Sequence, residues 1–229
     1  PNVAIIATGN ELLKPSKKLE NNKIYASSLY MLKNLLKLSG TKCIGLKIIK
    51  DNEDQIKKYI NSLKNPDIII TTGGVSVGKK DLVKSTLDNL GMKKKFWRVL
   101  IKPGKPILYG KIKTTHVFGL PGNPVSTYVC YLLFVLEAIS RMRDQNNKFL
   151  TIKKAVLLET IINNSTRVSY YRGKHLMANN KLSVITLKSQ DSSLLNNLSN
   201  ANCLIKVPSN LKVIKKGNPV DIILLRNGF

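Results

Sequence analysis

Residues 67–81 constrain the fold more than any other part of the chain. Three isoleucines and two threonines at 68–72 predict a short strand, apolar enough to be buried on both faces, as strands of parallel sheets are. Gly73, Gly74 and Gly78 allow backbone conformations that a side chain would prevent, and they let N–H groups approach a bound oxyanion. A helix after Lys80 would add its positive end. The segment therefore predicts a strand, an anion-binding turn and a helix of an α/β fold.

Residues 73–80 come close to a Walker A phosphate-binding loop, because Gly73, Gly78 and Lys79 have the required spacing. Lys80 stands where that loop needs a Ser or Thr hydroxyl for magnesium, which disfavours a P-loop nucleotidase. The dinucleotide-binding fingerprint does not fit either, since the glycines are wrongly spaced. Asp81 can be an N-cap of the following helix or a functional carboxylate.

Strands and helices alternate through the first two thirds of the chain, which predicts a parallel sheet with helical crossovers. Beyond a polar stretch at 141–148 the pattern changes to short strands separated by Asn, Ser and Gly turns. We therefore expect a doubly wound, mostly parallel, three-layer α/β domain over residues 1–147 and a small all-β, barrel-like domain over residues 148–229. The expected strands span 3–7, 43–49, 68–72, 96–101, 107–109, 117–120, 155–159, 182–187, 201–207 and 220–225, and the expected helices span 22–39, 52–63 and 80–90, with a long helix after Asn123.

The chain is strongly basic, with a net charge of +25 and an isoelectric point near 10.1. Such a charge could indicate a polyanionic partner, such as nucleic acid or a phosphorylated ligand. The lysines are scattered along the chain, however, and only 6% of residues are aromatic, so platforms for base stacking are scarce. A solvated lysine-rich surface is the better interpretation, and nucleic acid is not the expected partner.

Three widely spaced cysteines predict neither a zinc site nor a disulfide framework, and they indicate a reducing, cytoplasmic setting. The most apolar segment, residues 125–139, is shorter than a membrane span and carries Glu137, so we expect a buried helix and no membrane association. No signal peptide is evident at the start. Because the chain opens on Pro1 directly before a strand, we expect further residues to precede it.

Two further turns suggest anion binding. Pro103 and Gly104 fit a tight turn that would hold Lys102 and Lys105 together. Neighbouring ammonium groups repel each other unless an anion lies between them, and each opposite charge at about 4 Å contributes roughly 4 kcal/mol before desolvation. Exposed loop lysines are the alternative.

The second turn, residues 119–126, follows a predicted strand. It offers a bend at Pro121-Gly122, then a helix start with free N–H groups and the Ser126 hydroxyl. Ligands of doubly wound sheets bind at such strand ends.

Acidic residues are scarce, with 13 in all, so their positions are informative. Glu11, Asp51 and Asp81 each follow one of the first three predicted strands, whose carboxyl ends share one edge of a parallel sheet. Each could be a helix cap, but together they could bind a hard cation such as Mg²⁺. His116 and His175 have no comparable neighbours and are expected to have surface or packing roles.

Four ordered motifs resemble the molybdopterin molybdenumtransferase family, of the MoeA and gephyrin E-domain type. They are Thr8-Gly-Asn-Glu-Leu12, Thr72-Gly-Gly-Val-Ser-Val-Gly78 with Asp81, Lys102-Pro-Gly-Lys-Pro106 and Gly119-Leu-Pro-Gly-Asn-Pro-Val-Ser126. Tyr171-Arg-Gly173, Gln190-Asp-Ser-Ser193 and Asn200-Ala-Asn202 resemble the family's final domain. Asn10 stands where the family normally has Asp, which removes one negative charge from the metal edge.

The resemblance implies an enzyme of molybdenum cofactor biosynthesis that inserts molybdate into adenylylated molybdopterin with the help of magnesium and releases AMP. It implies Glu11, Asp51 and Asp81 as the positions for magnesium and catalysis. It implies Lys102, Lys105, Ser126, Arg172 and Ser192 as the lining of a molybdate pocket. The glycine loop, with Gly73, Gly74, Ser76 and Gly78, and the Pro121 turn would bind the pterin's phosphate side.

The family's two further domains, for dimerisation and for closing the neighbouring active site, lie upstream of these motifs. The resemblance leaves two assemblies open, a homodimer or a complex with other molybdenum cofactor synthesis proteins. Two alternatives remain. The related molybdopterin adenylyltransferase shares the α/β domain, although its loop usually reads Gly-Gly-Thr-Gly and it ordinarily lacks the β domain. A shortened, non-catalytic binding or scaffold member would keep the acids only as caps.

Overall fold

The structure is a computed structural model that describes residues 1–74, 82–143, 150–178 and 180–225. Two compact units make up the chain. Unit 1 comprises Pro1–Val99 and Pro106–Asn146, and unit 2 comprises Leu100–Lys105 and Asn147–Phe229. Ser76, Gly78 and Asp81 of the expected site lie outside the described residues.

The elements are numbered in chain order. Before residue 124 they are β1 (Asn2–Thr8), β2 (Leu12–Leu13), β3 (Ile24–Tyr25), α1 (Ser27–Leu38), β4 (Lys42–Ile49), α2 (Glu53–Ser62), β5 (Ile68–Thr72), α3 (Leu82–Asn89), β6 (Lys93–Trp97), β7 (Ile101–Lys102), β8 (Leu108–Ile112) and β9 (Thr115–Leu120). A continuous helix follows, made of α4 (Pro124–Cys130), a π-helical turn (Tyr131–Val135) and α5 (Leu136–Met142). The remaining elements are β10 (Thr151–Leu157), β11 (Ile161–Ile162), β12 (Val168–Ala178), β13 (Lys181–Thr186), α6 (Leu195–Ser199), β14 (Cys203–Val207), β15 (Val213–Ile214) and β16 (Pro219–Leu224).

Unit 1 is built on a six-stranded sheet with the order β4-β1-β5-β9-β8-β6. The first four strands are parallel, whereas β8 and β6 run antiparallel. The chain passes from β1 outward to β4 and then returns to place β5 on the other side of β1. The order therefore reverses between β1 and β5, which makes a topological switch point there and confirms the predicted doubly wound, mostly parallel sheet.

Helices cover both faces of this sheet. On one face, Ile56 of α2 and Leu87 of α3 pack into a buried cluster with Ala4, Ile6 and Ile69 of the sheet. On the other face, α1 contacts β1, β4 and α4. All five residues of β5 are buried, as the apolar run at 68–72 predicts for a strand covered on both sides. The three-layer arrangement is confirmed.

The helices differ from the sequence expectation mainly at their ends. Helix α1 begins at Ser27 and not near residue 22, because Ile24 and Tyr25 form β3 against β2, with the Ile24 N–H donating to the Glu11 carbonyl at 2.9 Å. Helix α2 is capped as predicted, since the Asn52 side chain accepts from the Gln55 N–H at 2.9 Å. The start of the predicted helix at Lys80 lies outside the described residues.

The helix from Pro124 to Met142 has 19 residues, so the expectation that this segment is too short for a membrane span is wrong on length. In the described part of the chain it is the one helix long and apolar enough to cross a membrane by those criteria. The structure buries 67% of the apolar window, however, and Val125, Val129 and Ile139 are fully covered. The expected buried helix is therefore confirmed as a core element of unit 1.

Unit 2 contains a closed five-stranded barrel in the order β13-β10-β16-β14-β12, which closes through pairing of β12 with β13. Its interior includes Leu157, Val184, Ile205 and Ile222. The predicted barrel-like β domain is confirmed. Strand β12, with 11 residues, was missed because charged residues interrupt its apolar alternation.

The predicted single strand at 96–101 is wrong. Its first part belongs to β6, which ends at Trp97, whereas Ile101 belongs to β7. Strand β7 pairs with Val168 and Ser169 at the start of β12, so residues 100–105 group with unit 2 and not with the first domain. The predicted division of the chain at residue 147 otherwise stays a prediction.

Candidate functional site

The carboxyl ends of four parallel strands meet at one edge of the unit 1 sheet. Residues 9–11 leave β1, Asp51 follows β4, Gly73 leaves β5, and Pro121 leaves β9. Ligands of doubly wound sheets bind at this edge, beside the switch point. The fold therefore brings together the parts of the expected site that the sequence places in unit 1.

The two described glycines of the loop are held against β1 and α3. Gly73 has a φ of 86° and Gly74 a φ of 64°. A Cβ on Gly73 would lie 2.6 Å from the Thr8 carbonyl oxygen, and one on Gly74 would lie 2.4 Å from Cγ2 of Val83. Both positions therefore require glycine, for backbone conformation and for space. The Gly73 N–H also donates to the Leu120 carbonyl at 3.2 Å, which ties the ends of β5 and β9 together.

The turn at Pro121 is fixed by side-chain hydroxyls. The Pro121 carbonyl accepts from Thr72 Oγ1 at 3.0 Å and from Thr127 Oγ1 at 2.5 Å, and the Gly122 carbonyl accepts from Ser28 Oγ at 2.9 Å. The Pro121 and Gly122 carbonyl groups thus accept hydrogen bonds within the protein and fix the turn. Ser126 lies in the first turn of α4, where N–H groups have no acceptor within the helix, and it is buried.

Glu11 and Asp51 are exposed carboxylates on this edge. Asp51 is locked to Asn10 by two backbone-to-side-chain hydrogen bonds: the Asn10 N–H donates to Asp51 Oδ2 and the Asp51 N–H donates to Asn10 Oδ1, each at 3.2 Å. The Glu11 carboxylate folds over Gly9, with both oxygens 2.6 Å from the position of a Cβ there. Lys23 donates from Nζ to the Asn10 carbonyl at 2.8 Å.

Oxygen donors of this kind are the ligands that magnesium prefers. Within the described ranges, no three His, Cys, Asp or Glu side chains come together as a metal site. The third expected acid, Asp81, lies outside these ranges. The described residues thus supply part of a magnesium-type donor set and fit the ion in ligand chemistry.

Thr8 is a candidate that the sequence did not assign. Its hydroxyl is buried at the end of β1 and has no hydrogen-bond partner among the described residues. It lies 3.4 Å and 3.2 Å from the Cβ positions that side chains on Gly73 and Gly74 would occupy. An unpaired buried hydroxyl costs free energy, so this group is suited to bind a ligand atom at the switch point. The sequence signal for Thr8 is its position between the strand expected at 3–7 and Gly9.

Unit 2 carries the other expected residues. Arg172 on β12 is completely buried, and burial lowers the pKa of its guanidinium, an effect that the Asp191 carboxylate opposes. Its Nη2 donates to the carbonyl oxygens of Ser189 at 3.1 Å and Asp191 at 3.0 Å. Gln190 brackets the Arg172 backbone, accepting from its N–H at 2.9 Å and donating to its carbonyl at 3.0 Å. Arg172 therefore holds the loop that carries Ser192.

The same guanidinium has unused donors. Nε and Nη1 of Arg172 are buried without a hydrogen-bond partner in the part of the chain that the structure describes. In the neighbouring loop, Asp191 accepts at Oδ1 from both the N–H and the hydroxyl of Ser193, each at 2.8 Å. These hydrogen bonds hold the pKa of Asp191 below its usual range. The loop is thus ordered on both sides of Ser192.

Lys102 and Lys105 are both exposed in unit 2. Lys102 ends β7 in register with Ser169 of β12, and the Arg167 Nη1 donates to the neighbouring Ile101 carbonyl at 3.2 Å. The Lys102–Pro103 peptide bond is cis, and Gly104, with a φ of 110°, separates the two lysines. The expected site residues thus form two sets, one on each unit.

Unit 1 is a doubly wound α/β domain of the kind that binds a small ligand at its switch point, with glycines and carboxylates at that edge. Residues 4–141 match the family model described as probable molybdopterin binding domain, and residues 154–225 match the model described as MoeA C-terminal region (domain IV). The chain belongs to the probable molybdopterin binding domain family, with a MoeA-type C-terminal region. The expected family is confirmed.

Curated relatives agree with this assignment. A molybdopterin molybdenumtransferase of Haemophilus influenzae is 31% identical over 96% of this chain and 55% of its own length. The molybdenum cofactor synthesis protein cinnamon of Drosophila melanogaster is 35% identical over 100% of this chain and 39% of its own length. A crystal structure of a molybdopterin biosynthesis MoeA protein from Pyrococcus horikoshii matches with a TM-score of 0.84 and 26% identity, over 100% of this chain and 55% of that one. The chain spans about half the length of the curated relatives it matches.

Proposed function

We propose that this chain is a transferase that catalyses the molybdate insertion step of molybdenum cofactor biosynthesis, in which adenylylated molybdopterin takes up molybdate and AMP is released. The observation that carries the proposal is the set of groups at the unit 1 switch point. Three kinds of group lie on the same sheet edge. They are the tightly packed Gly73-Gly74 turn, the Thr8 hydroxyl, which has no partner within the described ranges, and the Glu11 and Asp51 carboxylates. The names of the curated relatives support the same reaction.

Glu11 and Asp51, together with Asp81, are the proposed ligands of Mg²⁺. Bound magnesium would neutralise negative charge on the adenylate phosphate and polarise its bond to the leaving group. The Asn10 bonds keep Asp51 in one orientation, so its carboxylate is positioned before a ligand arrives.

The proposed molybdate ligands are cations and hydroxyls. Molybdate is a tetrahedral dianion. Positive charge is supplied by Lys102, by Lys105 and by the Nε and Nη1 donors of Arg172, which have no partner among the described residues. On unit 2, Ser192 supplies a polar contact in this proposal; on unit 1, the Ser126 hydroxyl at the start of α4 is proposed to contact the ligand at the switch point. Arg172 would act in two ways, since Nη2 holds the Ser192 loop while the remaining donors face the anion.

The magnesium assignment is tested by AMP release from adenylylated molybdopterin in the presence of Mg²⁺ and molybdate. Asp51→Asn and Glu11→Gln should each lower the rate on the order of 100-fold, because a neutral amide binds a hard cation poorly. Asp54→Asn, an exposed acid in the first turn of α2, is the matched control and should keep the wild-type rate. Wild-type AMP release by Asp51→Asn would remove Asp51 from the catalytic machinery.

The molybdate assignment is tested by isothermal titration with molybdate. The double variant Lys102→Ala/Lys105→Ala should bind at least about tenfold more weakly, since two charge-assisted contacts are lost. Lys174→Ala, which removes an exposed lysine of β12, should bind as the wild type does. Equal, weak heats for the wild type and the double variant would show that the lysine assignment is wrong.

We further propose that the protein works in the cytoplasm as a homodimer or with other molybdenum cofactor synthesis proteins. Cys43, Cys130 and Cys203 form no disulfide in the described part of the chain, which supports a reducing compartment. Light scattering on the purified chain, with and without adenylylated molybdopterin, measures whether residues 1–229 associate by themselves: a mass of two chains supports the homodimer, and a mass of one chain under both conditions shows that these residues alone do not form it.

A further inference from the structure

Trp97 is the only tryptophan in the chain, and two cationic side chains lie against its ring. The Arg98 guanidinium carbon is 4.1 Å from the ring centroid, and Lys84 Nζ is 5.0 Å from it. Both distances are within the range of cation–π attraction. Lys84 also forms an ion pair with Asp88 at 3.6 Å. Helix α3 and the residue that follows β6 thus each bring a cation to one ring.

Two local features of the Trp97, Arg98 and Lys84 cluster raise the free energy of the folded state. Arg98 has a φ of 68°, in the left-handed region that favours glycine, and its N–H donates to the Ile107 carbonyl at 2.8 Å. The indole N–H of Trp97 is buried and has no acceptor among the described residues. Buried indole N–H groups usually have a partner. Strained backbone and an unpaired donor next to two cations are features of ligand sites.

The group lies at the same sheet edge as the candidate site. Trp97 pairs with Leu108, and Leu108 pairs with Gly119, which directly precedes the end of β9. Lys84 follows Val83, the residue that packs against Gly74 of the glycine turn. The first turn of α3 therefore connects the glycine turn to the Trp97 ring.

We propose that Lys84 and Arg98, held on the Trp97 ring, form a binding subsite for a phosphate group of the ligand at the switch point. An arginine stacked on an aromatic ring keeps its N–H edges free for two hydrogen bonds to one phosphate, and lysine adds a point charge. The assignment of this subsite to the phosphate of AMP rests on the proposed function, whereas its binding of inorganic phosphate does not.

Trp97 itself reports binding. Its fluorescence, excited at a wavelength that adenine does not absorb, is recorded during titration with AMP, inorganic phosphate or adenosine. AMP and inorganic phosphate should each give a saturable change that weakens with added salt, and adenosine should give none. A response to AMP but not to phosphate would place the contact on the nucleoside and overturn the subsite, as would an equal response to adenosine.

Variants separate the two cations from general effects. Arg98→Asn removes the charge, and asparagine tolerates the left-handed backbone at this position. Lys84→Ala removes the second cation. Each variant should bind phosphate about tenfold more weakly, because one charge-assisted contact is lost. Asp88→Asn keeps Lys84 and should bind phosphate at least as well as the wild type does. Lys93→Ala, on the same strand as Trp97, should bind phosphate with unchanged affinity. Circular dichroism checks that every variant is folded.

Wild-type phosphate affinity in both folded Arg98→Asn and Lys84→Ala would sink the proposal, even if the protein releases AMP in the assay above. Conversely, charge-dependent phosphate binding without adenylate cleavage would keep the subsite and remove the proposed function. The two ideas can thus fail separately.

Discussion

Replacing Gly73 with alanine tests the packing that builds the glycine turn. The new Cβ would lie 2.6 Å from the Thr8 carbonyl oxygen, a backbone atom of a central strand that cannot move without shifting β1. The φ of 86° adds a second cost, because an L side chain disfavours that region. The backbone conformation should cost about 1–2 kcal/mol, and the overlap about 1–3 kcal/mol.

Gly91→Ala is the matched control. Gly91 has a φ of 78°, close to that of Gly73, but no atom lies within 4 Å of its Cβ position. Both substitutions also stiffen the unfolded chain equally. The difference between the two variants therefore isolates the overlap with Thr8, at about 1–3 kcal/mol.

The assay is thermal unfolding followed by the fluorescence of Trp97, which lies in unit 1. Gly73→Ala should melt below Gly91→Ala by roughly 2–12 °C, since each kcal/mol shifts the melting temperature by about 2–4 °C in a domain of this size. If the two variants melt together, the close approach of Gly73 to β1 is not present in the folded protein, and the reasoning about the turn fails.

Two further predictions concern polar side chains that are buried or half-buried. Thr127→Val should destabilise unit 1 by about 1–2 kcal/mol in urea denaturation, because the lost hydroxyl donates to Pro121 and Asn123 carbonyls, whereas Thr71→Val should be neutral or stabilising, because that buried hydroxyl has no partner among the described residues; equal losses would contradict this. Burial lowers the pKa of His116; the charge of Lys111 lowers it further, and the charge of Asp67 opposes the shift. The folded state therefore favours the neutral imidazole. The stability that this contributes is fully present above the usual histidine pKa and is lost as pH falls through the lowered pKa. His116→Asn should therefore flatten the decline of the urea midpoint between about pH 7 and pH 5, and an unchanged decline would assign the pH dependence to other groups.

The sequence predicted the parallel sheet and its edge because these signals are local. The run at 68–72 is apolar on both faces, and the following glycines mark the turn, so β5 and its ligand edge follow from adjacent residues. Glu11 and Asp51 share that edge for the same reason, since each simply follows a parallel strand.

Other features depend on contacts between residues that are distant in sequence. Arg172 is charged yet completely buried within a strand, because carbonyl groups of the 189–191 loop satisfy part of its guanidinium, and no local pattern contains that information. Strand β7 has two residues and belongs to unit 2 only through its pairing with β12. The stack of Lys84 and Arg98 on Trp97 likewise brings α3 to the end of β6.

The central claim is that this chain couples molybdate uptake to cleavage of the adenylate. The direct measurement is single-turnover AMP release from adenylylated molybdopterin with Mg²⁺, with and without molybdate, alongside a parallel reaction of molybdopterin with ATP. We expect AMP release that requires molybdate and is matched by molybdenum bound to the pterin product, with no adenylate formed from ATP. Formation of adenylylated molybdopterin from ATP, or no turnover of the adenylate with molybdate present, would contradict it.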